Sequence, residues 1–275
     1  MATFVLVHGA WHGGWCYARV ARLLRAAGHE VYTPTHTGVG ERSHLADYRV
    51  TLSTHIHDVA NVLEYENLSD VIMCGHSYGG MVITGVAAAI GERIRTLVYL
   101  DAFLPEDGQS LFDLIEPEMV SQFLGLVKTT RGLLPPIPAA AFNVNAKDAA
   151  WVDKTCNPQS LLTFTEGVCF SGKESAVRNR TYILATGYDM HVFDRFYERV
   201  KNDSKWKAHA VPCGHDVMLD RPEELAKALL EEEATRLKAI RQAKTAAEVR
   251  AASSGAAYSA PQSSAPKSSA AKKRR

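Results

Sequence analysis

The sequence predicts an α/β fold: a mainly parallel six-stranded sheet with helices on both faces and one inserted cap. Three observations carry this expectation. Short apolar runs recur without the polar alternation of a half-exposed strand, as expected where a sheet is buried on both sides. Amphipathic segments separate these runs, so successive strands are joined by right-handed helical crossovers. Between Phe103 and about Arg178 the alternation stops, and short amphipathic pieces surround the proline run Leu134-Pro135-Pro136-Ile137-Pro138.

The elements follow in order. Thr3 to Val7 is a continuous apolar run closed by His8-Gly9-Ala10, which reads as a buried strand ending in a tight loop. Tyr17 to Ala27 is a helix with Val20, Leu23, Leu24 and Ala27 on one face, stopped by Gly28. Glu30 to Thr33 is the second strand, ended by Pro34, and residues 34–50 form a long loop without period. Thr54 is read as the cap of a helix facing inward through Ile56, Val59, Ala60 and Leu63. The strand from Val71 leads through Gly75-His76-Ser77-Tyr78-Gly79 into a helix over Met81 to Ile90, rich in glycine and alanine. Thr96 to Leu100 is the fourth strand, with Asp101 at its end. After the insertion, strands at Thr181 to Thr186 and Trp206 to Val211 flank a helix at Val192 to Val200, and a last helix enters at Pro222. The expected organisation is one α/β domain over 1–243, with a cap inserted over about 103–178, and an Ala/Ser/Lys-rich tail over 244–275 that is read as disordered.

Composition narrows the function. Of 275 residues, 46% are hydrophobic and 22% charged, enough to bury one large core. A net charge of +1 gives no electrostatic case for nucleic acid or an anionic membrane as partner, and a small neutral ligand fits better. The terminal Lys272-Lys273-Arg274-Arg275 is read as a solvated tail rather than an interaction patch. Five scattered cysteines without C-x-x-C spacing argue against a disulfide framework or a zinc site and suit a reduced, cytoplasmic protein. The N-terminus lacks a basic region and a long apolar run, and nothing approaches the ~20 apolar residues of a membrane span. The sequence leaves a homodimer open.

The chemistry lies in Gly75-x-Ser77-x-Gly79, a serine on a strand-to-helix turn between glycines. Alone it is weak, since roughly one chain in ten of this length would carry it by chance. Its placement adds weight. Ligands of open α/β sheets bind at the carboxyl ends of the strands, and there the chain also delivers Asp101, Asp189 and His215. Serine, acid and histidine in that chain order make a hydrolytic triad, with Ser77 as nucleophile and His215 as base. Two oxyanion donors are expected, the N–H groups of Tyr78 and Ala10. No cofactor or metal is expected. His55 and His57, two apart on a helix, point to different sides and share no ion easily. His12, His36 and His44 are candidates for the pocket mouth, against the plainer and preferred reading of solvated loop histidines. Trp11, Phe103, Leu104, Phe123, Leu126, Trp151 and Phe164 are candidate apolar walls, against the plainer reading of packing between cap and sheet.

His8-Gly9-Ala10-Trp11-His12-Gly13-Gly14-Trp15, Gly75-His76-Ser77-Tyr78-Gly79-Gly80 and Gly214-His215-Asp216 together resemble the α/β-hydrolase superfamily. Within it they resemble the branch of plant methylesterases, hydroxynitrile lyases and their bacterial esterase relatives. The resemblance covers about residues 3–240 and is tightest before residue 110. It implies a cofactor-independent serine esterase acting on a small, fairly apolar carboxylic ester. Two departures disfavour lyase chemistry: Gly9 stands where the lyases carry threonine, and Asp216 where they carry lysine. A lyase, or a ligand-binding receptor with a vestigial triad, remain the alternatives. The resemblance points to Asp189 as the acid, yet Asp189 falls one residue short of the family's glycine-x-x-aspartate register, with Met190 in that slot. Asp101 ends its strand cleanly, so both acids stay open.

Overall fold

The computed structural model describes residues 1–234 together with 245 and 248. All other positions of the 244–275 tail lie outside the described residues. The chain runs β1 (Thr3–Val7), α1 (Ala18–Ala26), β2 (Glu30–Tyr32), α2 (Leu52–Tyr65), β3 (Val71–Ser77), α3 (Gly79–Ile90) and β4 (Ile94–Ala102). It then leaves the sheet for α4 (Pro117–Val127), β5 (Leu133–Leu134), α5 (Ala149–Thr155), β6 (Gln159–Ser160) and α6 (Leu162–Thr165). It returns with β7 (Asn179–Ala185), α7 (Asp194–Val200), β8 (Trp206–Val211), α8 (Val217–Asp220) and α9 (residues 222–234).

Six strands form one sheet in the order β2-β1-β3-β4-β7-β8, and every pairing is parallel. The central strands are apolar on both faces because helices cover both, which is why β3 is buried from Val71 through His76. The order reverses at β1, so chain segments leaving the carboxyl ends of β1 and β3 diverge and open a crevice between them.

Local chemistry explains the boundaries. α2 begins one turn earlier than the sequence reading set it: Thr51 is the cap, its hydroxyl accepting from the Thr54 N–H, and Thr54 returns the bond to the Thr51 N–H. α1 buries Val20, Ala21 and Leu24, while Leu23 is partly exposed, so its inward face is narrower than expected. β4 extends through Ala102, two residues beyond the predicted end, which makes Asp101 part of the strand rather than the residue after it. α3 is buried almost throughout, as its small side chains allow.

The insertion adds no strand to the main sheet. β5 and β6 pair with each other as an antiparallel ribbon. This ribbon is tied to the loop after β1: Trp11 donates its backbone N–H to Gln159 Oε1 at 2.9 Å and its indole N–H to the Leu134 carbonyl at 3.1 Å. Two charged contacts anchor other parts. Glu166 accepts from the N–H and hydroxyl of Ser53, and Arg19 makes a bidentate pair with Asp148, both N–O distances 2.6 Å.

Candidate active site

Ser77 ends β3 at φ 54°, a left-handed conformation that a non-glycine residue adopts only when its surroundings enforce it. The next residues enter α3 at once. The turn is this tight because Gly79 has no side chain: a Cβ there would sit 2.8 Å from the carbonyl oxygens of Val7 and His8.

His215 lies on the loop after β8, its N–H donating to the Phe142 carbonyl at 2.9 Å. Its ring lies between Phe142 and Phe193, stacked on the latter with centroids 5.1 Å apart. His215 Nδ1 is 2.7 Å from Asp101 Oδ2. Asp101 is fully buried, at φ 43°, and collects two further donors. The Ala185 N–H reaches Oδ1 at 3.0 Å, and the Tyr188 hydroxyl reaches Oδ2 at 2.7 Å. Three contacts on one carboxylate fix its orientation. Burial and the Asp101 charge hold the Tyr188 phenol protonated far above the ordinary tyrosine range. Asp189 is exposed on the neighbouring loop. The carboxylate that meets His215 is therefore Asp101, and the side chain that the Gly187-Tyr188-Asp189 turn sends to the site is Tyr188.

Ser77, Tyr78, Ala10 and His215 line one cavity, about 470 Å³ counted to its open mouth. Of the expected walls, Trp11, Phe103, Phe123 and Phe164 line it. Leu104 lines a different cavity, while Leu126 and Trp151 are exposed. Leu111, Ile115, Met119, Ile137, Met190 and Val192 complete an apolar enclosure, so the polar groups facing a ligand are concentrated at the Ser77 end.

The remaining histidines differ from their sequence reading. His36 is not at the pocket mouth but fully buried between His8 and His55, with ring centroids 4.0 and 4.6 Å away. His8 Nε2 accepts the His36 N–H, and His55 meets the Tyr78 hydroxyl at 3.0 Å through Nδ1 and the Thr37 carbonyl at 2.9 Å through Nε2. Neither ring nitrogen of His36 has a hydrogen-bond partner among the described residues. Burial pushes these imidazoles towards neutrality, His8 to about 3 and His55 to about 4, with His36 well below its ordinary value. His57, by contrast, is exposed, so the His55/His57 pair does face two ways. His44 is exposed too.

His12 is also buried, with Nδ1 2.7 Å from the Ala10 carbonyl oxygen and Nε2 3.2 Å from Asp216 Oδ2. Although burial opposes its charge, the Asp216 carboxylate holds His12 well above the ordinary histidine value. Asp216, fully buried, is itself pulled down by His12 against its own burial. Ligand atoms of His76, His215 and Asp216 lie within 4.8 Å of one another, a spacing an ion could bridge. Yet His215 Nδ1 is taken by Asp101, and His76 Nε2 meets the His215 carbonyl at 3.1 Å.

The alpha/beta hydrolase family model matches residues 4–228. Over 238 residues the chain is 53% identical to the carbendazim hydrolyzing esterase of Nocardioides sp. (strain SG-4G), covering 83% of this chain and 98% of that protein. It is 26% identical over 250 residues to salicylic acid-binding protein 2 of Nicotiana tabacum, covering 83% and 95%. Among solved structures, an extracellular alpha/beta-hydrolase from a Paenibacillus species superposes with a TM-score of 0.72 at 24% identity, over 84% of this chain and 98% of that one.

Proposed function

This chain belongs to the alpha/beta hydrolase family, and from that premise we propose that Ser77, His215 and Asp101 are its catalytic triad. The protein is a carboxylic ester hydrolase. Ser77 Oγ attacks the ester carbonyl carbon and gives its proton to His215 Nε2. The carbonyl oxygen becomes an oxyanion, received by the N–H groups of Ala10 and Tyr78. Collapse breaks the carbonyl–alkoxy bond, and His215 returns the proton to the leaving alcohol. Water, deprotonated by His215, then cleaves the acyl-enzyme and releases the acid.

The observation that carries this reading is the 2.7 Å contact of His215 Nδ1 with Asp101, in a cavity that Ser77 also lines. Donation from Nδ1–H to Asp101 leaves Nε2 as the basic nitrogen, and the carboxylate offsets the charge that develops on the ring. Asp101 is preferred to Asp189 as the acid on this contact and on the exposure of Asp189.

Gly9 supports hydrolysis over lyase chemistry. A Cβ at that position would lie 2.9 Å from His76 Nδ1 and 3.0 Å from Ser77 Cβ, so there is no room for the threonine of the lyase relatives. The apolar walls suit a neutral, flat acyl group. Carbendazim, an aromatic methyl carbamate and the compound for which the 53% identical esterase is named, is the first substrate to try. Free thiols at all five cysteines support a reducing, cytoplasmic setting.

The test is turnover of carbendazim and of p-nitrophenyl butyrate by wild type and Ser77→Ala. Loss of both activities on substitution is expected. Wild-type turnover by Ser77→Ala overturns the triad, and a wild type that is labelled once at Ser77 without turnover is a receptor rather than an enzyme.

A further inference from the structure

We propose that the buried His12–Asp216 ion pair is a positioning pair for the reaction: it fixes the aim of the Ala10 N–H at the oxyanion and locks that loop to the loop carrying His215. The inference rests on the reading of Ala10 as an oxyanion donor.

The geometry argues it in three steps. First, the Ala10 N–H belongs to the Gly9–Ala10 peptide, whose own carbonyl, that of Gly9, is held at 2.7 Å by His8 Nδ1. The carbonyl on the other side of Ala10 is held at 2.7 Å by His12 Nδ1, so the residue that carries the donor is fixed from both ends and the His12 end depends on the ion pair. Second, His12 faces an acceptor on each side, the Ala10 carbonyl at Nδ1 and Asp216 Oδ2 at Nε2. A neutral imidazole has one N–H and can satisfy one of them; the doubly protonated ring satisfies both. The contacts therefore select the cation, and the buried carboxylate supplies its counter-charge. Third, Asp216 directly follows His215, and His76, beside the nucleophile, has Nε2 3.8 Å from Asp216 Oδ1 and 3.1 Å from the His215 carbonyl. The ion pair thus spans from the oxyanion loop to the loop of the base.

The surroundings keep the pair dry. Its side chains are 5% and 0% exposed, and the Trp15 indole stacks on the His12 ring at 5.2 Å. A buried ion pair is a poor device for stability alone, because an apolar pair of similar volume often serves as well. A pair that aims a catalytic donor has another reason to be there.

The experiment compares Asp216→Ala, Asp216→Asn and the double variant His12→Phe/Asp216→Leu, which replaces the pair by rings and methyls that can pack. In Asp216→Ala, kcat is expected to fall about 10–100-fold, the scale for misplacing a group by about an ångström, with KM moving less than about threefold. Asp216→Asn recovers most of that loss, since its amide can donate to Nε2 while Nδ1–H still holds Ala10. The double variant keeps the wild-type Tm but not the wild-type kcat. Affinity for an aryl trifluoromethyl ketone, whose adduct on Ser77 carries the oxyanion, falls in step with kcat/KM, while affinity for the matched, unreactive secondary amide does not change. A folded double variant with kcat within about twofold of wild type, or an unchanged affinity for the trifluoromethyl ketone in Asp216→Ala, overturns the inference. Retained turnover in Ser77→Ala would count against the triad, whereas a fully active double variant counts against the ion pair alone.

Discussion

Two groups of buried histidines flank the loop after β1, and they solve the same electrostatic problem in opposite ways. On one side His8, His36 and His55 stack with no carboxylate hydrogen-bonded to their rings, and burial keeps them neutral. On the other, His12 and His215 each face a buried aspartate, and His12 is held as a cation despite equal burial. The difference teaches that depth alone does not set a histidine's charge here. For His12, the Asp216 carboxylate at hydrogen-bond distance overcomes the effect of desolvation.

The comparison can be broken most severely at Asp101. Asp101→Asn leaves the shape intact but favours the wrong His215 tautomer, and kcat is expected to fall by roughly 10⁴, read in steady-state hydrolysis of a p-nitrophenyl ester. Next is Asp216→Ala, which strands the His12 charge in the interior. Unfolding in urea should show a loss of about 3–5 kcal/mol, less the part regained if His12 gives up its proton.

The neutral stack yields a smaller effect with a distinct pH signature. His8 and His55, at about 3 and about 4 against 6.5, take up protons on unfolding. Their contribution is therefore whole above pH 6.5 and is lost as the pH falls to about 4 for His55 and about 3 for His8. His12, raised by Asp216, has the opposite sign: its contribution is whole below 6.5 and lost as the pH rises through its folded value. His36→Phe removes one imidazole that would have to charge and two unpartnered ring nitrogens. Its stability at neutral pH should match wild type or exceed it by about 1 kcal/mol, and its Tm should decline less steeply between pH 6.5 and 4. The smallest effect is expected at Asp189→Asn, where kcat should stay within about twofold, since its carboxylate is exposed and His215 is served by Asp101.

Much of this was legible in the chain. Strand runs such as Thr3–Val7 and Trp206–Val211 fall on β1 and β8 to the residue; β1, buried from Phe4 to Val7, has the sharp apolar signature of a strand covered on both faces, whereas β8 is a partly exposed edge strand. That Ser77 and His215 line one cavity was legible from the turn chemistry around them. Which carboxylate meets His215 was not, because Asp101 and Asp189 both read as residues just past a strand, and the extension of β4 through Ala102 and the positive φ of Asp101 were invisible in a linear pattern. The neutral stack was hidden for a related reason. His36 sits in an aperiodic, polar stretch that reads as a solvated loop, and only the tertiary fold buries it against His8 and His55. Tyr188 had a weak signal at most, a phenol one residue ahead of an expected acid.

The bonds from Trp11 to the β5–β6 ribbon carry a consequence for how such a protein diversifies. The residue next to Ala10 is held by Gln159 and Leu134, which belong to the same insertion that supplies much of the pocket wall. With Ala10 in its proposed role, selectivity and turnover would be mechanically coupled through these bonds. A transplanted insertion would bring a new pocket, but it would also re-tension the catalytic loop, so chimeras should inherit an altered rate along with an altered preference unless those two hydrogen bonds are carried across intact.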